Sequence, residues 1–279
     1  MAPAPRARLA VLPLVAALLI LSSCGGDGSS DSSPAERSAH ARTLGHRVED
    51  LVSPRRAARA VARFRDAGLP VYCGAGTRRY VALTFDDGPG PRTRDILRTL
   101  RRWDARATFF LVGSQVVKRK RLVNSEVLFG AVGDHTWMHR ALTRLPKRGA
   151  WSEIERTREL LAKSRGRIDL FRPPYGARSP LTDALVRRAG LLTVMWSIDS
   201  ADSAGDMGWR YVARTVLQSV RPGSIVLMHE NQPEDVKALK RVLPQLRGRG
   251  FKFLTVPELL ALDPPSRAQV RRGLRGCKR

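Results

Sequence analysis

From Arg79 onward, short apolar runs rich in β-branched and aromatic residues alternate with Arg-rich stretches of helical period. Repeated strand and helix in this order builds a parallel sheet, because consecutive parallel strands need a crossover long enough to carry a helix. Such a sheet is either open or closed into a barrel. The predicted strands are 80–85, 108–112, 168–171, 192–196, 225–228 and 251–255, with a weaker one at 127–132. Helices are predicted between them at 92–103, 150–163, 181–189, 210–220 and 236–249. No repeat of solenoid length interrupts the pattern. Hydrophobic residues make up 43% of the 279-residue chain, enough for a full core, which excludes wholesale disorder.

The residues upstream concern location. Arg6 and Arg8 precede an apolar run, 9–21, with the length of a signal-peptide core; a membrane-spanning helix needs roughly 20 residues. The run ends in Leu21-Ser22-Ser23-Cys24, which resembles a bacterial lipoprotein signal. That resemblance implies a signal peptide over 1–23, lipidation of Cys24, and a protein held at the outer face of the cell membrane by a lipid anchor. An ordinary secretory signal with an incidental Cys24 is the alternative reading. Residues 24–42 are small and polar and read as a flexible tether. In 43–77, Val48, Leu51, Val52, Ala58, Val61, Ala62 and Phe64 recur at partly helical intervals. Pro54 is expected to interrupt them, giving an N-terminal extension of two short helices packed on the main domain.

Charge and cysteines narrow the partners. Fifty Lys and Arg against 25 Asp and Glu give a formal charge of +25, which suits nucleic acid, an anionic membrane or an acidic polymer. Export leaves nucleic acid behind, so the charge points to the wall. Three cysteines exclude a disulfide-dense miniprotein and a four-thiolate zinc site. Outside the cell, Cys73 and Cys277 are expected to form a disulfide; two separate thiols are the alternative.

The polar clusters fall at predicted strand ends. Asp86 and Asp87 stand in Thr84-Phe85-Asp86-Asp87-Gly88-Pro89. Adjacent carboxylates on extended backbone point opposite ways, so one can bind a metal while the other remains a base; Asp-Gly-Pro is also ordinary turn punctuation. In His135-Thr136-Trp137-Met138-His139 two imidazoles are spaced i, i+4, which on a helical turn lets them share a divalent cation. With a carboxylate as third ligand the site keeps an open position. Zinc suits imidazole-rich ligation, with cobalt, nickel or manganese as substitutes. His229 ends the strand Ile225-Val226-Leu227-Met228 and is suited to general acid work; a neutral core histidine would satisfy the same pattern. Arg172-Pro173-Pro174-Tyr175-Gly176 and Asp199-Ser200-Ala201-Asp202 complete the set, as oxyanion and orienting groups or as a plain turn and surface loop.

These five segments, in this order and together with Ala107-Thr108-Phe109-Phe110-Leu111-Val112-Gly113, resemble the polysaccharide deacetylases of carbohydrate esterase family 4, the NodB-homology domain. The resemblance covers roughly 78–263 and leaves a basic C-terminal tail, 264–279. It implies an α/β fold of the distorted (β/α) barrel type and metal-dependent removal of N-acetyl groups from N-acetylhexosamine units of peptidoglycan or a chitin-like glycan, releasing acetate. It implies Asp87, His135 and His139 as metal ligands and Asp86 as the base activating the attacking water. The Tyr175 backbone N–H would hold the oxyanion and His229 would protonate the leaving amine. Arg172 would orient Asp86, Asp202 would orient His229, and Leu227 would line the acetyl pocket. The resemblance implies an acetylated glycan as partner; the lipid anchor adds a membrane, export leaves no nucleic acid partner, and the chain is expected to be a monomer. Two departures stand out. Ser203 replaces the tryptophan usual after the fourth-motif aspartate, with Trp209 a replacement for that wall, so Asp199 competes with Asp202 as the His229 partner. Asp134 stands where asparagine is common. An acetylxylan esterase of the same fold and a non-catalytic, basic wall-binding lipoprotein are the competing readings.

Overall fold

The computed structural model describes residues 52–165, 168–205 and 207–277. The expected signal peptide, Cys24, the tether and the extension up to residue 51 lie outside the described residues, as do Lys278 and Arg279.

Eight strands form one sheet: β1 (Tyr80–Gly88), β2 (Ala107–Leu111), β3 (Gly130–Asp134), β4 (Leu170–Phe171), β5 (Leu192–Thr193), β6 (Ile198–Asp199), β7 (Ser224–His229) and β8 (Lys252–Phe253). Their order is β5-β4-β3-β2-β1-β7-β6, all pairs parallel, with β8 joining the start of β1. Among the described residues β5 and β6 do not pair, so the curled sheet is a half-barrel, the distorted (β/α) barrel expected from the sequence. Strands were predicted close to their observed places, except that 127–129 belongs to a helix and β6, only two residues long, carried no run to detect.

The helices are α1 (Pro54–Asp66), α2 (Thr93–Arg102), α3 (Gly113–Lys118), α4 (Lys120–Phe129), α5 (Lys147–Arg165), α6 (Pro180–Arg188), α7 (Trp209–Ser219), α8 (Pro233–Gly248), α9 (Val256–Leu262) and α10 (Arg267–Arg271). Pro54 starts α1 rather than interrupting it. Ser53 caps the helix by accepting the Arg56 N–H at 3.3 Å, and proline fits the first turn because its missing N–H would have no partner there. Ser179 and Thr255 open α6 and α9 with reciprocal capping boxes.

Strand alternation divides the core. On β1, Val81, Leu83 and Phe85 pack toward one cluster with α2, α7 and α8, while Tyr80 and Ala82 join Phe110, Val194 and Ile225 in a second. Val61 and Phe64 of α1, Leu259 of α9 and Val270 of α10 complete that second cluster. α1 and α10 therefore pack onto the barrel domain, and the Cys73–Cys277 disulfide, Cα–Cα 5.9 Å, ties the described part of the tail to the residues before β1. Among the described residues no helix is long and apolar enough to cross a membrane.

Candidate active site

Every polar cluster singled out in the sequence lies at the C-terminal ends of the strands, the rim that carries chemistry in (β/α) barrels. Strand register sets the first neighbours: Asp86 on β1 pairs with His229 on β7, and Asp134 on β3 with Phe171, the residue before Arg172.

Asp86 stays in the extended strand, buried, with Arg172 Nη1 donating to its Oδ1 at 2.8 Å. Arg172 has no exposed surface. It also donates to Thr84 Oγ1 at 2.7 Å and to the carbonyls of Val194 and Met195, each at 3.1 Å, while its guanidinium lies 4.2 Å from the Phe110 ring centroid. A buried guanidinium this fully bonded has one orientation, and it fixes the carboxylate. Burial pushes Asp86 above the ordinary carboxylate range, against the pull of Arg172 and then His229. That direction suits a base, whose proton affinity should approach working pH.

Within β1, Asp87 turns left-handed with φ 68°, and the register with β2 shifts between Phe85 and Gly88. This turn brings both carboxylates to one imidazole: His135 Nε2 lies 3.7 Å from Asp86 Oδ2 and 3.5 Å from Asp87 Oδ1. His139 Nε2 lies 3.1 Å from the same Asp87 oxygen. The histidine pair is not on a helical turn as its spacing suggested. Residues 135–139 form a loop in which Thr136 (φ 67°) and His139 (φ 58°) are left-handed, and this backbone turns both rings inward. Tyr175 is left-handed as well, at φ 60°. Such backbone costs roughly 1 kcal/mol or more per non-glycine residue, and its clustering here marks the loops as shaped for a task.

The residues fit a divalent cation. The donor atoms of Asp87, His135 and His139 lie within 4.8 Å of one another, and buried Asp87 Oδ1 has no hydrogen-bond partner among the described residues. His135 Nδ1 donates to the Arg172 carbonyl at 2.7 Å, leaving the Nε2 lone pair facing the cluster. Burial drives His135 down to about 3, so it is neutral, as a ligand must be.

On the other side, His229 Nδ1 lies 2.8 Å from Asp202 Oδ1. The partner is Asp202 and not Asp199, which is exposed and accepts the Ala201 N–H at 2.8 Å. Burial works against the His229 charge, but the Asp202 hydrogen bond and charge outweigh it and raise His229 to about 9. A third member, Asp235 at the start of α8, carries no signal in the sequence. The His229 backbone N–H donates to Asp202 Oδ2 at 2.7 Å and to Asp235 Oδ2 at 2.9 Å. Burial and then the adjacent Asp202 drive Asp235 up to about 10, so it is neutral and Asp202 is the charged one of the two carboxyls bonded to His229, with Asp86 and Asp87 adding smaller attractions.

A second hidden pair backs the metal loop. Glu230 lies against Gly88, where a Cβ would come within 1.8 Å of its Oε1, and its carboxylate accepts from Thr93 Oγ1. Burial and its neighbour Glu230 push Glu126 of α4 well up. Asp134 is also pushed well up by burial, and its Oδ1 accepts the Thr136 N–H at 2.7 Å, so it imitates asparagine. Leu227 is buried, Tyr175 is exposed with its ring 4.8 Å from that of His139, and Trp196 abuts Gly176. Trp209 heads α7, half-buried, and packs against the first core cluster.

The polysaccharide deacetylase family profile matches residues 74–194, which takes in Asp86, Asp87, His135, His139 and Arg172 and stops before Asp202 and His229. The peptidoglycan-N-acetylglucosamine deacetylase PgdA of Listeria monocytogenes is 35% identical over 199 residues, covering 68% of this chain and 41% of that protein. The chain thus spans about two fifths of that relative's length; shorter relatives are matched over most of their own length. The structure of the Bc1960 peptidoglycan N-acetylglucosamine deacetylase superposes with a TM-score of 0.66 at 29% identity, covering 74% of this chain and 97% of that one. A CE4 family pseudoenzyme from Bacillus anthracis superposes with a TM-score of 0.64 at 26% identity over 68% of each chain, so fold alone does not carry activity. The motif residues and these matches together place the chain in the polysaccharide deacetylase family, carbohydrate esterase family 4.

Proposed function

We propose that this chain is a metal-dependent hydrolase that removes N-acetyl groups from N-acetylhexosamine units of a cell-wall polysaccharide, peptidoglycan first, and releases acetate. The observation that carries this reading is a base and an acid with opposite charge control, Asp86 on Arg172 and His229 on Asp202, facing one Asp87–His135–His139 cluster. A divalent cation held there, zinc before cobalt, nickel or manganese, supplies carbonyl polarisation and a more acidic water. Asp86 takes the proton of the water that attacks the acetamide carbon. The Tyr175 backbone N–H holds the developing oxyanion. His229, protonated at neutral pH, gives its proton to the departing nitrogen as the C–N bond breaks, leaving a free amine and acetate. Leu227 forms part of the acetyl pocket.

The same reading keeps the expected organisation: signal peptide 1–23, tether 24–42, extension 43–77, deacetylase domain 78–263 and tail 264–279, in an exported monomer lipidated at Cys24. The +25 charge would hold it near an acidic wall. The test is acetate release and product mass on peptidoglycan strands, N-acetylglucosamine oligomers and acetylated xylan. Amine-bearing products from the first two support it. Acetate from xylan alone makes the chain an esterase, and salt-sensitive binding without acetate makes it a wall-binding protein.

A further inference from the structure

A groove of about 350 Å³ is lined by Asp87 and His139 of the metal cluster. Lys118 and Arg119, at the junction of α3 and α4, line it as well. The wall that carries these cations is tied to both ligand loops. The Val112 N–H donates to the Gly88 carbonyl at 2.8 Å, and those of Gly113 and Ser114 to the Thr136 and Trp137 carbonyls, each at 3.0 Å. Arg119 is half-buried and its Nη1 donates to Gln115 Oε1, so the guanidinium is steered rather than free in solvent. Among the described residues neither cation has an acidic partner, and the one acid lining the groove is Asp87, engaged with the histidines. Met138, 56% exposed, gives this groove an apolar surface for a sugar ring.

Arginines such as Arg98 and Arg158 pair with an acid on their own helix. Lys118 and Arg119 differ by position, because they line the same groove as the metal-cluster residues Asp87 and His139. A neutral N-acetylhexosamine polymer offers them hydroxyl and acetamide oxygens but no countercharge, and hydrogen bonds between opposite charges are the stronger kind. We infer that this groove is a subsite for an acidic sugar: Lys118 and Arg119 bind a carboxylate carried by the unit next to the one losing its acetyl group. The inference rests on the deacetylase reading and sharpens its substrate to a glycan that carries a carboxylate beside the acetylated unit.

The test uses the full chain, metal-loaded, on three substrates: N-acetylglucosamine hexamer, peptidoglycan strands stripped of peptide, and the same strands with their carboxylates amidated. In the Lys118→Ala/Arg119→Gln variant the kcat/KM ratio of stripped strands over hexamer is expected to fall about tenfold, through KM, as two lost solvent-facing charge contacts would give. Amidation should lower the wild-type ratio to the same degree and leave the variant's ratio where it was. An equal fall on all substrates, or a wild type indifferent to amidation, overturns the subsite. A preference that returns only with peptide-bearing strands overturns the assignment to the sugar's own carboxylate. Equilibrium binding of stripped and amidated strands to Asp86→Asn reads the subsite without turnover. If no glycan yields acetate, the deacetylase reading fails while this binding difference still decides the subsite.

Discussion

The two flanks of the site solve one problem with opposite signs. Asp86 is a buried anion fixed by one cation, Arg172, whose donors are otherwise spent on Thr84 and two backbone carbonyls. His229 is a mostly buried cation fixed by one anion, Asp202, beside a second carboxyl that burial keeps neutral. Each flank thus carries one charge and one countercharge, and the acid and the base are kept apart in proton affinity by surroundings rather than by residue type.

Breaking the base flank should have the largest effect. Asp86→Asn keeps the shape and removes the proton acceptor, so kcat for acetate release should fall by about 10²–10⁴; it also leaves buried Arg172 without its countercharge, so the melting temperature should fall as well. Arg172→Met leaves Asp86 buried without its countercharge, and loss of one partner of such a pair costs about 3–5 kcal/mol; urea unfolding should show it, with activity falling alongside.

The acid flank should respond in its titration. In the metal-free protein, Asp202→Asn should bring His229 down from about 9 toward its ordinary 6.5, followed by NMR. The sign follows from both members. The raised His229 contributes stability fully below 6.5 and loses it as pH climbs through about 9. Asp202, depressed below 3.8, contributes above that value and loses it at lower pH. Wild type should therefore lose stability relative to Asp202→Asn on both sides of the window between. Asp235→Asn should have the smallest effect, with the His229 titration within about half a pH unit of wild type, because the carboxyl it replaces is already uncharged. A large fall would mean that Asp235 is ionised and that the acid flank carries two negative charges.

Much of this site was legible because its members follow strands, and strands with a β-rich apolar run announce their ends. Asp86 and His229 were read that way. The histidine pair was found by its spacing and given the wrong backbone, since i, i+4 also arises in a loop where Thr136 and His139 turn left-handed. Asp235, Glu230 and Glu126 were missed for a shared reason. Asp235 looks like an acid suited to the first turn of α8, and Glu126 like the solvent side of α4. Only tertiary packing reveals that both are buried. Glu126 alone left a trace, as the one acid in the largely apolar stretch 122–132.

The central claim, that Asp87, His135 and His139 hold the cation on which Asp86 and His229 act, is tested most directly by loading the chelated protein with zinc while measuring bound metal and acetate release together. The account predicts one tightly bound cation per chain, acetate release that rises with it, and loss of both in His135→Ala. Acetate release that persists after chelation, or is unchanged in His135→Ala, would contradict it.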